Sequence, residues 1–425
     1  MSAAKNTPSR CPEAYILWDA SHIWGLMAWR AVSSLGVSCR LIKAENIADG
    51  MFLGKSDSTP LLLVPGGSAR RKAEALGRRG RDAVRSFVER GGNYLGFCGG
   101  AGLALSHKQA GNGLQICPLR RGAYPERLHH LVSGHVLACV ARPGETETYL
   151  NLPVWWPGRF EAQNSDASVS ILARCEAPGK DFCIADMPFR RIPGHIFAIW
   201  RDVYDIDLSA DFLRGQPLVV SGKRGLGTYL LSYSHLETPG SPQANAWFAD
   251  ILRRLTGARP ERALIPQWDL RNIRTAWPEN AENEPLLRAL QRSHALLRLT
   301  MRQRLFFPRT PWLAGWRAGL PGAIINSLHA VLCAAAALEP GEAAREYWRG
   351  VRERFSRAEE LFFPEAEGWL LAFRLAQPLA PSLSGVVDRR GLEERRAALF
   401  GEPMRGGGLA EELIALAEEL VYLGQ

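Results

Sequence analysis

The chain has 425 residues and a mass of 47.0 kDa, a length that suits two domains, or three small ones, better than one. Hydrophobic residues make up 46% and charged residues 22%, which excludes wholesale disorder, and 41 Gly and 27 Pro at this length exclude collagen-like and low-complexity classes. Lys and Arg number 52 against 43 Asp and Glu, a net charge of +9 spread too widely to mark a nucleic-acid surface.

Strand-like and helix-like segments alternate through the first part. Tyr15–Trp18 reads as a strand, Ile23–Val32 as a helix and Cys39–Ile42 as a second strand. Leu61–Val64 is a continuous apolar run stopped by Pro65-Gly66-Gly67, as expected for a strand buried on both faces. Asp82–Arg90 places Val84, Phe87 and Val88 at helical spacing, and Gly91-Gly92 ends it. Tyr94–Phe97 is a strand that runs into Cys98-Gly99-Gly100-Ala101-Gly102 and a helical Leu103–Leu105. This rhythm predicts an α/β fold with a parallel sheet and helices on both faces. Residues 120–211 read as an irregular insertion with antiparallel strands, Pro-rich and aromatic at Leu152–Pro157. Pro217–Val220 and Gly225-Leu226-Gly227 read as a hairpin, Thr228–Ser232 as a strand and Ala244–Leu255 as a closing helix. From Arg259 the pattern becomes helical, at Glu284–Phe306, Pro321–Leu338, Glu342–Phe362 and Leu409–Tyr422. The expected division is residues 1–257 and an α-helical domain over 258–425.

Eight cysteines, at positions 11, 39, 98, 117, 139, 175, 183 and 333, form no CxxC pair and no zinc-site spacing with histidine. Neither a metal nor another cofactor is expected, and the sparse cysteines suit a reducing compartment. The leader, residues 1–15, has no apolar h-region. Ala323–Leu338 is short for a membrane span and carries Asn326 and His329, so it reads as a buried helix. A cytoplasmic protein with neither membrane nor nucleic-acid partner is expected.

Three strand ends carry the chemistry. In Gly96-Phe97-Cys98-Gly99-Gly100 a strand enters a cysteine, small residues follow and a helix begins. This is a nucleophile elbow, crowded enough to require small neighbours. A helix N-terminus behind the thiol favours thiolate, and the Gly99 N–H faces the place where an oxyanion forms. Gly66 and Gly67, after the strand Leu61–Val64, let the backbone approach a ligand and complete an oxyanion hole. His235-Leu236-Glu237, after Thr228–Ser232, supplies a base and the acceptor that orients it.

With these residues the stretch from Tyr15 to Leu255 resembles the class I glutamine amidotransferase-like superfamily. The resemblance is nearest to the amidotransferase-like N-terminal domain of eukaryotic-type biotin–protein ligases. G-x-C-x-G falls on Gly96, Cys98 and Gly100, H-x-E on His235 and Glu237, and the oxyanion glycines on Gly66 and Gly67. The resemblance implies a flavodoxin-like fold with a Cys-His-Glu triad. Two departures stand out. Ala101-Gly102 replaces the His-Gln of working glutaminases, which argues against glutamine as the substrate, and Leu236 replaces a proline. Ligase motifs are not evident: Gly77-Arg78-Arg79-Gly80-Arg81 precedes the elbow helix, and a Lys-Trp-Pro-Asn-like segment is absent.

The expected activity is cleavage of the C–N bond of a small-molecule or peptide amide by Cys98, His235 and Glu237. The alternative is an inactive amidotransferase-like binding or regulatory module, linked to biotin–protein ligase, whose helical domain contacts a protein partner. His195 is a rival base without a carboxylate two residues on, and His107 reads as surface. His129 and His130 lack metal-ligand partners. Arg70-Arg71-Lys72 and Arg78-Arg79-Arg81 read as a solvated helix face or as a positive rim for an anion. Trp155, Trp156, Trp312, Trp316, Trp348 and Trp369 read as core and domain-interface residues, with Trp155 and Trp156 lining the cleft as the rival reading.

Overall fold

The computed structural model describes residues 12–50, 61–122, 131–141, 146–161, 168–205, 213–316, 320–383, 385–402 and 406–425. Cys11, His129, His130 and the leader through residue 11 lie outside the described residues. The first described part contains β1 (Ala14–Leu17), α1 (Ile23–Ser34), β2 (Cys39–Ile42), α2 (Ala44–Ala48), β3 (Leu61–Val64), α3 (Ala69–Glu89), β4 (Asn93–Phe97) and α4 (Gly99–Ala104). The insertion adds β5 (Val132–Val140), β6 (Thr148–Trp155), β7 (Val169–Pro178), β8 (Cys183–Ile184), β9 (Met187–Pro188) and α5 (Gly194–Tyr204). The hairpin β10 (Pro217–Arg224) and β11 (Gly227–Ser232) follows, then α6 (Pro242–Thr256).

Five strands run parallel in the order β2-β1-β3-β4-β11. Beyond β11 the sheet turns antiparallel through β10, β7, β5, β8 and β9, and β6 also pairs with β5. The period-two pleat divides each parallel strand between two cores. Ile16, Leu61, Leu63, Leu95 and Phe97 join one cluster with Leu26 of α1 and Phe248 of α6. Leu17, Leu62, Val64 and Tyr94 join the other with Leu76 and Phe87 of α3 and Leu103 of α4. Helices therefore cover both faces, and β3 is buried at all four positions. β2 is an edge strand, and the Gln425 side chain caps it: Leu41 N–H donates to Gln425 Oε1 at 2.6 Å, and Gln425 Nε2 donates to Leu41 O at 3.3 Å.

The C-terminal part is helical: α7 (Glu284–Arg302), α8 (Leu320–Ala337), α9 (Glu342–Ser382), α10 (Arg389–Phe400) and α11 (Gly408–Leu423). Its core is continuous with the α1–α6 face of the sheet, from Leu26 and Trp247 through Trp312 to Leu328, Trp348 and Leu420. Glu418 of α11 takes a hydrogen bond from Trp18 Nε1 on its carbonyl at 3.2 Å, and its carboxylate meets His22 Nδ1 at 2.9 Å. No helix among the described residues is long and apolar enough to cross a membrane.

Several helices differ from what the sequence predicts, three of them most. α3 starts at Ala69, well before Asp82, with a kink at Gly77 (φ 57°), and so takes in the whole basic run. α9 continues twenty residues past Phe362, through Pro364, Pro378 and Pro381. An internal proline costs about 3 kcal/mol, but the buried stripe goes on through Phe363, Ala366, Trp369 and Leu370, and Trp369 Nε1 donates to Leu392 O at 2.7 Å. α10 has no counterpart in the sequence reading because it buries only Leu399 and Phe400. Glu359 of α9 is fully buried and accepts from Arg288 Nε at 2.5 Å and Arg292 Nη1 at 2.8 Å on α7. Glu359→Ala takes the buried carboxylate from both guanidinium groups, although Arg288 keeps Glu284 and Glu360, and a loss of roughly 2 kcal/mol is expected, read as a lower urea midpoint at unchanged m-value.

Candidate active site

β3, β4 and β11 are neighbours in the sheet, and their carboxyl ends lie side by side, with Val64 opposite Gly96 and Ser232 opposite Phe97. Pro65–Gly67, Cys98 and His235–Glu237 follow directly, so the three sequence elements converge on one rim of the sheet, where open α/β sheets bind ligands.

Cys98 occupies φ 46°, ψ −102°, a region that costs a residue with a Cβ of order 1–3 kcal/mol. Neighbouring bonds hold it there: Cys98 N–H donates to Ser232 O at 2.7 Å, Gly100 N–H to Pro65 O at 3.1 Å and Gly102 N–H to Cys98 O at 2.9 Å. The thiol is half-buried at the N-terminus of α4. The glycines are steric necessities. A Cβ on Gly99 would collide with the Gly67 carbonyl, and one on Gly100 with the Val64 carbonyl. Gly99→Ala must therefore push β4 away from the Pro65–Gly67 loop. We expect it to cost about 3 kcal/mol, measured as a fall in the urea midpoint, together with slower labelling of Cys98.

His235 and Glu237 have no exposed surface. His235 Nδ1 donates to Glu237 Oε1 at 2.7 Å. The segment is fastened on both sides. His235 N–H and Ser234 Oγ both donate to Pro153 O of β6, at 2.9 and 2.8 Å. Thr238 Oγ1 donates to His235 O at 2.7 Å and accepts from Trp155 Nε1 at 3.0 Å, and Asn245 Nδ2 of α6 donates to Leu236 O at 2.9 Å. Burial alone would lower the imidazole. The Glu237 carboxylate and the nearby Cys98 outweigh it and push His235 up to about 10. Nε2 makes no hydrogen bond of standard geometry, although Cys98 is close enough to act on the ring. Catalytic hydrogen bonds of unliganded enzymes are often loose in this way.

Gly66 sits beneath the imidazole: an added Cβ would lie 3.0 Å from His235 Cε1 and 3.1 Å from Trp24. Gly67 holds φ 106° with its α-carbon against Ala20 O. Among residues the sequence did not single out, Trp24 packs its ring 4.4 Å from that of His235. Trp24 meets Trp156 at 5.9 Å and Trp312 at 6.0 Å, and Trp156 stacks on Trp316 at 3.8 Å. Trp155 and Trp156 thus border the site, while Trp312 and Trp316 reach it from the helical part. Trp348 and Trp369 are core residues. His195 is exposed at the start of α5, and His107, half-buried rather than at the surface, bonds Gly102 O at 3.0 Å. The basic run is not one uniform face. Arg78 and Arg79 are exposed, Arg71 pairs with Glu411, and Lys72 is fully buried. No group of three or more His, Cys, Asp and Glu side chains among the described residues is placed to hold a metal.

Residues 54–112, which include Pro65–Gly67 and Cys98, match the family model of the biotin-protein ligase N-terminal region. No curated protein matches the chain. Among solved structures, PurLQS from Thermotoga maritima is similar at 14% identity and TM-score 0.37, over 57% of this chain and 99% of that one. A protein described as a GMP synthase subunit from Thermoplasma acidophilum is similar at 14% identity and TM-score 0.34, over 58% and 94%. β-Galactosidase from Bacillus circulans gives 13% identity and TM-score 0.33, over 59% of this chain and 32% of that one. At these scores none of the three bears on function.

Proposed function

We propose that the chain is an amidotransferase-like cysteine hydrolase that cleaves a C–N bond of a small-molecule or peptide amide through Cys98, His235 and Glu237. The observation that carries this reading is the fully buried His235–Glu237 pair, whose remaining ring nitrogen is left to a thiol held on a strained elbow. A raised imidazole beside a thiol favours a thiolate–imidazolium pair. The thiolate attacks the amide carbonyl, and N–H groups at Gly67 and Gly99 stabilise the oxyanion. His235 protonates the leaving nitrogen, and a thioester remains on Cys98. Water deprotonated by His235 then releases the acid and restores the thiol.

The match of residues 54–112 to the biotin-protein ligase N-terminal model supports the amidotransferase-like reading. A flavodoxin-like fold belongs to it, supported by the parallel order β2-β1-β3-β4-β11. The division at residue 258 and a cytoplasmic location belong to it as well. Cys39, Cys98, Cys139, Cys175, Cys183 and Cys333 form no disulfide among the described residues, which suits a reducing compartment. A chloroacetamide-type electrophile should leave its adduct on Cys98, and equal labelling across the other cysteines would end this reading.

The binding-module reading is favoured by one feature, the tryptophan roof that closes over His235. Partner capture that survives Cys98→Ala and needs residues beyond Arg259 would select it.

A further inference from the structure

Lys72 lies in the first turn of α3, directly after the Pro65–Gly67 loop, and has no exposed surface. A lysine is almost never fully buried unless it is paired. Its Nζ donates to Asp19 O at 3.0 Å and to Ser21 Oγ. Both acceptors belong to the loop between β1 and α1, in which Ala20 and His22 hold φ of 51° and 49°. A Cβ makes such angles unfavourable, so something must hold the loop in place. This loop backs the candidate oxyanion hole: Ala20 O stands where a Cβ on Gly67 would fall, and the Gly67 carbonyl stands where a Cβ on Gly99 would fall. An unbroken line of contacts thus leads from Lys72 through Asp19–Ser21 and Gly67 to the residue after Cys98.

We propose that Lys72 is a positioning residue of the Cys98 site: its ammonium clamps the Asp19–His22 loop against the Gly67–Gly99 wall and sets a second positive charge, besides His235, facing the thiolate. This inference rests on Cys98 as the nucleophile. The charged and titratable groups facing Lys72 are Asp19 from the β1–α1 loop, Glu418 from α11, Arg71 from its own helix and Cys98 from the elbow. Burial lowers the ammonium most and Arg71 adds to this. Asp19, Glu418 and Cys98 oppose them, and the outcome is about 7. The clamp therefore carries its charge below neutrality and loses it as the pH rises.

The test uses the full chain and iodoacetamide, with Cys98 alkylation followed by mass spectrometry from pH 5 to 10. In Lys72→Met, alkylation of Cys98 below pH 7 is expected to slow about tenfold, and its half-maximal pH to rise by about one unit, as when a neighbouring cation is removed. Cys39 serves as the unaffected control. Ser21→Ala, which loosens the clamp but keeps the charge, should slow alkylation without moving the midpoint. A folded Lys72→Met protein with an unchanged profile overturns the proposal. Should Lys72→Met fail to fold, linkage supplies the reverse measurement. The lysine titration followed by 13C NMR must fall to a lower midpoint in Cys98→Ser than in the native protein, and an unchanged midpoint overturns the proposal. If Cys98 is inert in the native chain, the hydrolase reading falls first, and the NMR comparison alone decides on Lys72.

Discussion

Cys98→Ala is expected to abolish thioester formation and to lower amide cleavage by at least about 10⁴-fold, because no other group on the rim can take over the attack. The alanine retains the Cβ already present at φ 46°, so the elbow should form and the thermal midpoint should stay close to native. The protein carries its own controls. Cys39, Cys139 and Cys333 are also only partly buried. Burial raises Cys39, with Ser33 opposing it. Burial and Glu147 raise Cys139, and burial pushes Cys333 up to about 12. None of the three has an imidazole–carboxylate pair like His235–Glu237 beside it. At neutral pH a limiting dose of electrophile should therefore mark Cys98 first. Intact-mass and peptide spectra that show Cys98 lagging behind any of the three would contradict the assigned role.

Glu237→Gln is expected to lower turnover about 10⁴-fold while leaving substrate binding nearly unchanged, since the carboxylate acts through the imidazole and not on the substrate. The pair also gives stability a definite pH dependence. Folded His235 sits near 10, above its ordinary 6.5, because Glu237 and Cys98 outweigh burial. Its contribution is therefore complete below pH 6.5 and is lost as the pH climbs toward 10. Native protein and His235→Asn should differ most in urea midpoint at the acid end of this window and converge at its alkaline end. A gap that stays constant from pH 6.5 to 10 would show that the imidazole is not held charged. Removing one member of a buried pair typically costs about 3–5 kcal/mol, so a drop of that order is expected for His235→Asn at pH 6.

The parts of the fold that sequence made legible are those governed by short-range rules. Leu61–Val64 and Cys39–Ile42 match their strands because an apolar run and its Pro-Gly-Gly stop are local signals. The elbow was legible because only glycine survives where carbonyls of β3 and its loop press on Gly99 and Gly100. What stayed hidden depends on distant contacts. Lys72 lies in the same basic run as Arg70, which is exposed and paired to Glu74, and only the Asp19–Ser21 loop distinguishes the two. Trp24 lies in a largely apolar, buried helix, and nothing local signals that its ring rests on His235. The proline at 364 reads as a stop, yet packing of Trp369 and Leu370 carries α9 through it.

The carboxamide of Gln425 occupies both backbone positions that Leu41 turns outward from the border of the sheet. A single side chain there stands where no strand among the described residues pairs. Intermolecular growth at that border is thus resisted by two hydrogen bonds as well as by the exposed charge of Arg40. Losing the carboxamide would hand the border to whichever extended segment reached it first.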